Sequence, residues 1–257
     1  MIAELKSPIV TWEKLPADYV LPDDPVDNIT QPMLAMALTD SLAQAGKLSE
    51  TTLTPTNYGI CATIDAKIVV KAPDWSFVPQ ITVSRSEVER SYTPNLQGSI
   101  PVIVMEFLSH TDGEEYSIKP SYPPGKWYFY ERILQVPNYV IFEPESGDIE
   151  IYRLDANGIY RPELMDENGR YWIPEMDLFL GVWQGERENR SGYWLRWWDE
   201  SGQLLLWGTE AVAAERQRTE LERQRVEEER QRAEEEQQRS QRLAEKLREL
   251  GVDPDQL

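Results

Sequence analysis

One stretch of this chain sets a carboxylate inside an apolar strand. Residues 100–109 read Ile-Pro-Val-Ile-Val-Met-Glu-Phe-Leu-Ser. A short apolar run bounded by a proline and a polar loop fits a strand covered on both faces. Glu106 is costly there unless it is paired or holds a metal. Any fold for this sequence must therefore bring Glu106 a partner, either a structural one or one that does chemistry.

The flanking patterns alternate between strand and helix. Residues 62–71 alternate and end in Ile68-Val69-Val70. Pro73-Asp74 interrupts them, and residues 75–78 continue as a second short extended segment. Residues 84–96 are polar and read as a loop or short helix. Beyond the central strand, residues 110–125 form a polar loop with Asp112-Gly113, Pro120 and Pro123-Pro124-Gly125. Residues 126–135 put Trp127, Tyr130, Ile133 and Leu134 on one helical face, and Val136-Pro137 ends the helix. Residues 139–142 read as the next buried strand. Strand, helix and strand in this order predict a crossover unit on a mixed sheet.

Upstream, Thr30 reads as an N-cap, with Pro32 in the first turn of a helix over 32–45 and Gly46 as its stop. Residues 1–29, rich in Pro and Asp, read as an extended arm. Downstream, residues 149–207 read as a β-meander with turns at Ser146-Gly147, Asn157-Gly158, Asn168-Gly169 and Ser201-Gly202. Trp172, Trp183, Trp194, Trp197, Trp198 and Trp207 crowd this region. Cross-strand packing is their plain reading; a platform for a carbohydrate or aromatic ligand needs several exposed on one face.

Residues 209–257 change character. Glu-Arg-Gln-Arg recurs at Glu215, Glu222 and Glu229, with Glu-Gln-Gln-Arg at Glu236. The seven-residue spacing puts Val212, Thr219, Val226, Ala233, Ser240 and Leu247 on a thin seam. A second seam is charged until Leu243 and Leu250. This is the pattern of a long charged helix that stops at Gly251, with Pro254 beyond, and it can serve as a coiled coil. The expected domains are thus an arm over 1–29, an α/β domain with a Trp-rich β extension over 30–208, and the helix over 209–257.

Charge limits the partners. The 257 residues carry a formal charge of −19. In the tail Arg and Lys nearly balance Glu, so most of the excess lies upstream. A polyanion would need a local basic patch or masking cations there. Cys61 is the only cysteine, which excludes an intrachain disulfide and suits a reducing cytosol. It reads as a small buried residue rather than a nucleophile. The first residues lack a basic segment followed by an apolar run, and no apolar stretch approaches the ~20 residues of a membrane span, so a cytoplasmic protein is expected.

Asp74, Glu106 and Lys126 are the candidates for chemistry. Two carboxylates from neighbouring strands can converge on one divalent cation, and hard oxygen ligands suit Mg²⁺. The backbone carbonyl of Phe107 can add a third oxygen. A lysine ammonium can position the attacking water and offset charge on a phosphate. Spacing alone leaves the other reading open, in which these charges are solvated or salt-bridged. His110 reads as an exposed loop residue or a general base. Asp112, Glu114 and Glu115 read as a solvated acidic loop or as a source of another ligand.

Pro73-Asp74, then Val-Ile-Val-Met-Glu-Phe-Leu-Ser, then Lys-Trp-Tyr-Phe-Tyr-Glu-Arg-Ile-Leu-Gln-Val-Pro-Asn-Tyr-Val-Ile-Phe-Glu-Pro resembles the bacterial family of putative restriction endonucleases, formerly a domain of unknown function. That family lies in the restriction-endonuclease-like superfamily of P-D…(D/E)-x-K nucleases. The resemblance rests on a Pro-Asp, a strand ending Glu-x-x-Ser, a Lys-x-x-x-Tyr helix and a Pro-x-Tyr strand, over roughly residues 33–155. The Trp-rich continuation and the Glu/Arg/Gln-rich tail look like a subgroup of the same family. The resemblance implies a mixed central sheet flanked by helices, then a β-meander and a long C-terminal charged helix. It implies metal binding at Asp74 and Glu106, with Mg²⁺ or Mn²⁺, and DNA as the substrate. The superfamily lysine stands two residues after the strand carboxylate, where this chain has Leu108. The resemblance therefore assigns the lysine to Lys126 on the following helix, with Lys119 as the fallback.

Two functions follow. One is a Mg²⁺-dependent endonuclease. The other is a nuclease fold whose site is vestigial and which associates through its C-terminal helix, as a homo-oligomer or with a partner.

Overall fold

The computed structural model describes residues 8–16, 18–19, 29–109 and 114–249. The chain divides into two compact units, Met1–Trp207 and Gly208–Leu257. Most of the N-terminal arm, His110, Asp112, Leu250 and the helix stop at Gly251 lie outside the described residues.

The first unit is α/β. Strand β1 (Val10–Thr11) pairs with β2 (Ile60–Ile64), which pairs with β3 (Lys67–Lys71), all antiparallel. A five-stranded mixed sheet holds β4 (Trp75–Phe77), β5 (Ile103–Phe107), β6 (Asn138–Phe142), β7 (Ile149–Leu154) and β8 (Tyr160–Pro162) in that order. Within it, β5 and β6 are parallel and the other pairs antiparallel. A third sheet holds β9 (Arg170–Ile173), β10 (Leu178–Arg187) and β11 (Arg190–Trp198), with β10 in the middle. Parallel strands need a crossover. It comes as helix α2, an α-turn at Lys126–Tyr128 that widens into a π-turn at Phe129–Leu134. Gln135 closes it with φ +55°.

Alternation along β5 sorts its side chains between two layers. Ile103, Met105 and Phe107 join a core with Leu34, Leu38 and Leu42 of helix α1 (Thr30–Gln44), Trp194 and Trp197 of the third sheet, and Trp207 after it. Val104 joins the opposite core, with Phe129, Tyr130 and Ile133 of α2 and Tyr139 and Ile141 of β6. Glu106 shares the parity of Val104, so it faces α2. The leucines of α1 recur every four residues, which puts them on one face toward the sheet. Gly46, at φ +67°, stops that helix as the sequence predicts.

Two expectations change, those for Thr30 and for residues 62–71, while the β-meander and the packed reading of the tryptophans hold with added detail. Thr30 opens α1 as its first helical residue; the cap position is Ile29, which has no side-chain oxygen to offer. Residues 60–71 are a hairpin, because Asp65 and Ala66 both take positive φ (48° and 62°) and turn the chain in two residues. The meander divides, with β7 and β8 extending the central sheet and β9–β11 forming a sheet of their own. The tryptophans make no ligand platform. Trp194, Trp197, Trp198 and Trp207 are buried, and Trp207 packs against Trp183 and Trp194.

The second unit is helix α3, which runs from Gly208 to Glu249. Val212, Leu221, Val226 and Leu243 are exposed on it. Arg230 pairs with Glu234 at 3.1 Å, a one-turn ion pair worth about 0.3–0.5 kcal/mol. Among the described residues no helix is long and apolar enough to cross a membrane.

Candidate active site

Glu106 is fully buried, and two donors from α2 meet it. Tyr130 donates its hydroxyl to Oε1 at 2.9 Å, and the Lys126 ammonium stands 3.1 Å from Oε2. Lys126 and Tyr130 are four residues apart, one helical turn, so one face of α2 delivers both. Gly125 fixes where that helix begins. A Cβ built on it would lie 2.1 Å from the Ser117 carbonyl oxygen, so no side chain fits between the loop and Lys126.

Asp74 enters from the neighbouring strand. Trp75 is paired across from Met105, which places Asp74 beside the end of β5. Its Oδ2 accepts the backbone N–H of Phe107 at 2.5 Å. The Phe107 carbonyl, on the same peptide ladder, accepts Nε2 of Gln31 from α1 at 2.7 Å. A carbonyl has two lone pairs, so one stays available.

A third carboxylate is present. Glu115 is 3% exposed, its Oε1 lies 3.4 Å from the Lys126 ammonium, and its Oε2 has no hydrogen-bond partner. The solvated reading of the 112–115 loop is therefore wrong for Glu115, which turns inward while Glu114 stays exposed, 3.9 Å from Lys71. Lys119 is exposed on the loop; Lys126 is the lysine that reaches Glu106.

Two carboxylates, Glu106 and Glu115, thus flank one ammonium, and the charge of Asp74 acts on it as well. Burial pushes the Glu106 carboxyl up to about 8; Lys126 opposes this and Asp74 reinforces it. Burial alone would lower Lys126, but Glu106 and Glu115 outweigh it and the ammonium holds its proton more tightly than usual. Lys126 holds its proton, and the Glu106 carboxyl is protonated more readily than an ordinary glutamate. A site of this kind calls for a proton or a cation.

Oxygen donors with surplus negative charge suit a hard divalent cation. The oxygens of Glu106 that accept from Tyr130 and Lys126 keep further lone pairs. Among the described residues no group of three or more His, Cys, Asp and Glu side chains is disposed around one metal position.

Asp74, Glu106, the Phe107 backbone and Lys126 are therefore one cluster. Sequence reasoning missed Gln31 and the inward turn of Glu115. Tyr130 was visible within Lys-x-x-x-Tyr, but as a core residue. Cys61 is buried in β2, as its plain reading had it.

A family model described as Uma2, putative restriction endonuclease, matches residues 33–185, more than half of the chain. No curated protein matches.

Proposed function

Because the chain belongs to the Uma2 family of putative restriction endonucleases, we propose that it is a Mg²⁺-dependent endonuclease hydrolysing DNA phosphodiester bonds at the cluster of Asp74, Glu106 and Lys126. Folds of this kind generally use divalent metals. One observation carries the reading: two carboxylates from adjacent strands and an ammonium from the crossover helix meet at a buried point with surplus negative charge.

Asp74 and Glu106 would hold the cation, with the Phe107 carbonyl as a third protein oxygen. When bound there, Mg²⁺, or Mn²⁺ in its place, would supply Lewis acidity and a more acidic water. Lys126 orients that water and offsets the charge that gathers on the phosphate as one P–O bond forms and another breaks. Tyr130 fixes the orientation of Glu106, and Glu115 holds the ammonium from its other side. The cytoplasm, where DNA is at hand, is the compartment this reading assigns.

The experiment is plasmid cleavage with Mg²⁺ and with Mn²⁺. Nicked or linear DNA is expected from the wild type and none from Asp74→Ala, Glu106→Ala or Lys126→Ala. Two features favour the second reading, a vestigial site: Leu108 stands where the strand lysine would be, and both oxygens of Glu106 already have donors. Intact plasmid with either metal, or variants that cut as well as wild type, would overturn the enzyme reading. The exposed Val212 and Val226 support self-association through α3. Sedimentation of the full chain and of Val226→Glu checks this; a monomer in both removes it.

A further inference from the structure

A small pocket lies on the loop that leads into Lys126. Residues 117–125 return on themselves. The Gly125 amide donates to the Lys119 carbonyl at 2.9 Å, and the Tyr128 amide to the Ser117 carbonyl at 3.4 Å. The loop leans on β3, where the Tyr122 hydroxyl donates to the Ile68 carbonyl at 3.1 Å. Although it makes that bond, Tyr122 is 51% exposed. The Lys67 ammonium stands 4.9 Å from its ring centre. Beside them is a cavity of about 100 Å³, walled by Tyr122, Tyr128, Pro120 and Pro124, with Lys67 and Asp65 on its polar side.

Flat aromatic and pyrrolidine walls take a planar ring by its faces. The exposed ammonium groups of Lys67 and Lys119 suit an anion attached to that ring. Of the nearby carboxylates, Asp65 accepts the Ile9 amide at 3.0 Å and Glu114 pairs with Lys71. A duplex hides its base faces, whereas an unpaired base offers one. Stacking also needs few phosphate contacts, which matters in a chain of charge −19. We propose that this pocket binds a nucleobase of a single-stranded DNA segment, with Lys67 and Lys119 on its neighbouring phosphates. The strand is thereby held beside Lys126. The proposal rests on the reading of the site as a DNA nuclease.

Fluorescence anisotropy of the full chain with a labelled oligothymidylate tests it, in EDTA so that no metal-dependent cleavage occurs. The oligonucleotide should bind more tightly than a duplex of equal length. Tyr122→Ala should weaken it at least about five-fold, the lower end for one base–aromatic stack. Tyr122→Phe should stay within about two-fold, because the ring remains. Lys67→Ala, at an exposed position that leaves the core intact, should weaken binding and reduce the salt slope by about 0.7. Unchanged binding in Tyr122→Ala and Lys67→Ala overturns the proposal, as does the absence of binding. Cleavage of the same single-stranded oligonucleotide by the same preparations, with Mg²⁺ in place of EDTA, separates the two failures. Cleavage that depends on Glu106 but not on Tyr122 rejects the pocket alone; no binding and no cleavage reject the nuclease reading as well.

Discussion

Arg196 and Glu106 are both fully buried charges in the first unit, and their surroundings differ in kind. The Arg196 guanidinium lies 3.4 Å from the ring centre of Trp207 and 5.2 Å from that of Trp183. It also donates to the Leu205 carbonyl at 3.0 Å. Aromatic faces and a carbonyl answer that cation. Around Lys126 the balance runs the other way: Glu106 and Glu115 share one ammonium, the charge of Asp74 adds to theirs, and an oxygen of Glu115 has no donor at all. Burial of a charge does not mark a site by itself. An uncancelled excess of one sign does, because it can be relieved only by a proton or a ligand.

Substitutions in the two clusters should therefore separate activity from stability. Glu106→Gln keeps the shape and removes the charge. Cleavage should fall by about a hundred-fold or more, the scale of losing one preorganised electrostatic group, while the melting temperature holds. Arg196→Ala should do the opposite. Loss of a desolvated cation–π contact and a buried hydrogen bond should cost about 3 kcal/mol in urea unfolding, with cleavage per folded molecule unchanged. If Arg196→Ala abolishes cleavage at wild-type stability, the comparison breaks. Tyr130→Phe sharpens it. Removing one donor from Glu106 should cost about 1–2 kcal/mol of stability and lower cleavage less than Glu106→Gln does.

Cys61 is the control for burial without a cluster of like charges. Burial raises its thiol to about 11, with Ser91 and Arg90 opposing the rise. The folded chain therefore keeps this proton longer than the unfolded chain, whose thiol has the ordinary value of 9.0. Its contribution to stability is full below pH 9 and is lost as pH rises through about 11. Alkylation by iodoacetamide at pH 8 should be on the order of a hundred-fold slower in the folded chain than in urea. Equal rates would show that β2 opens readily.

Much of this was legible in the chain. Glu106 announced itself because a carboxylate in an apolar run has few places to go. The crossover was legible because a strand, an amphipathic turn and a second strand carry different periods. The long helix followed from its seven-residue repeat. The Asp65-Ala66 turn was not legible: neither residue is glycine, so the positive φ that reverses the chain leaves no mark in composition. The inward turn of Glu115 was hidden for a related reason. It lies among Asp112 and Glu114, and only tertiary contacts distinguish the buried acid from its neighbours. Gln31 gave no signal, since a glutamine in a first helical turn is ordinary; its partner is a backbone carbonyl 76 residues away.

That hydrogen bond from Gln31 to Phe107 also bears on the order of events in folding. The contacts that define the site join segments 33, 20, 11 and 76 residues apart, from Asp74, Lys126 to Glu106, Lys126 to Glu115, and Gln31. Local turns close first, and the longest loop closes with the greatest entropic cost. The Lys126 contacts can therefore form early, while the seat of Phe107 is completed only when α1 docks. A nascent or partly opened chain would hold the charged residues without the finished backbone geometry, so the site proposed for cutting would be complete only with the last step of folding.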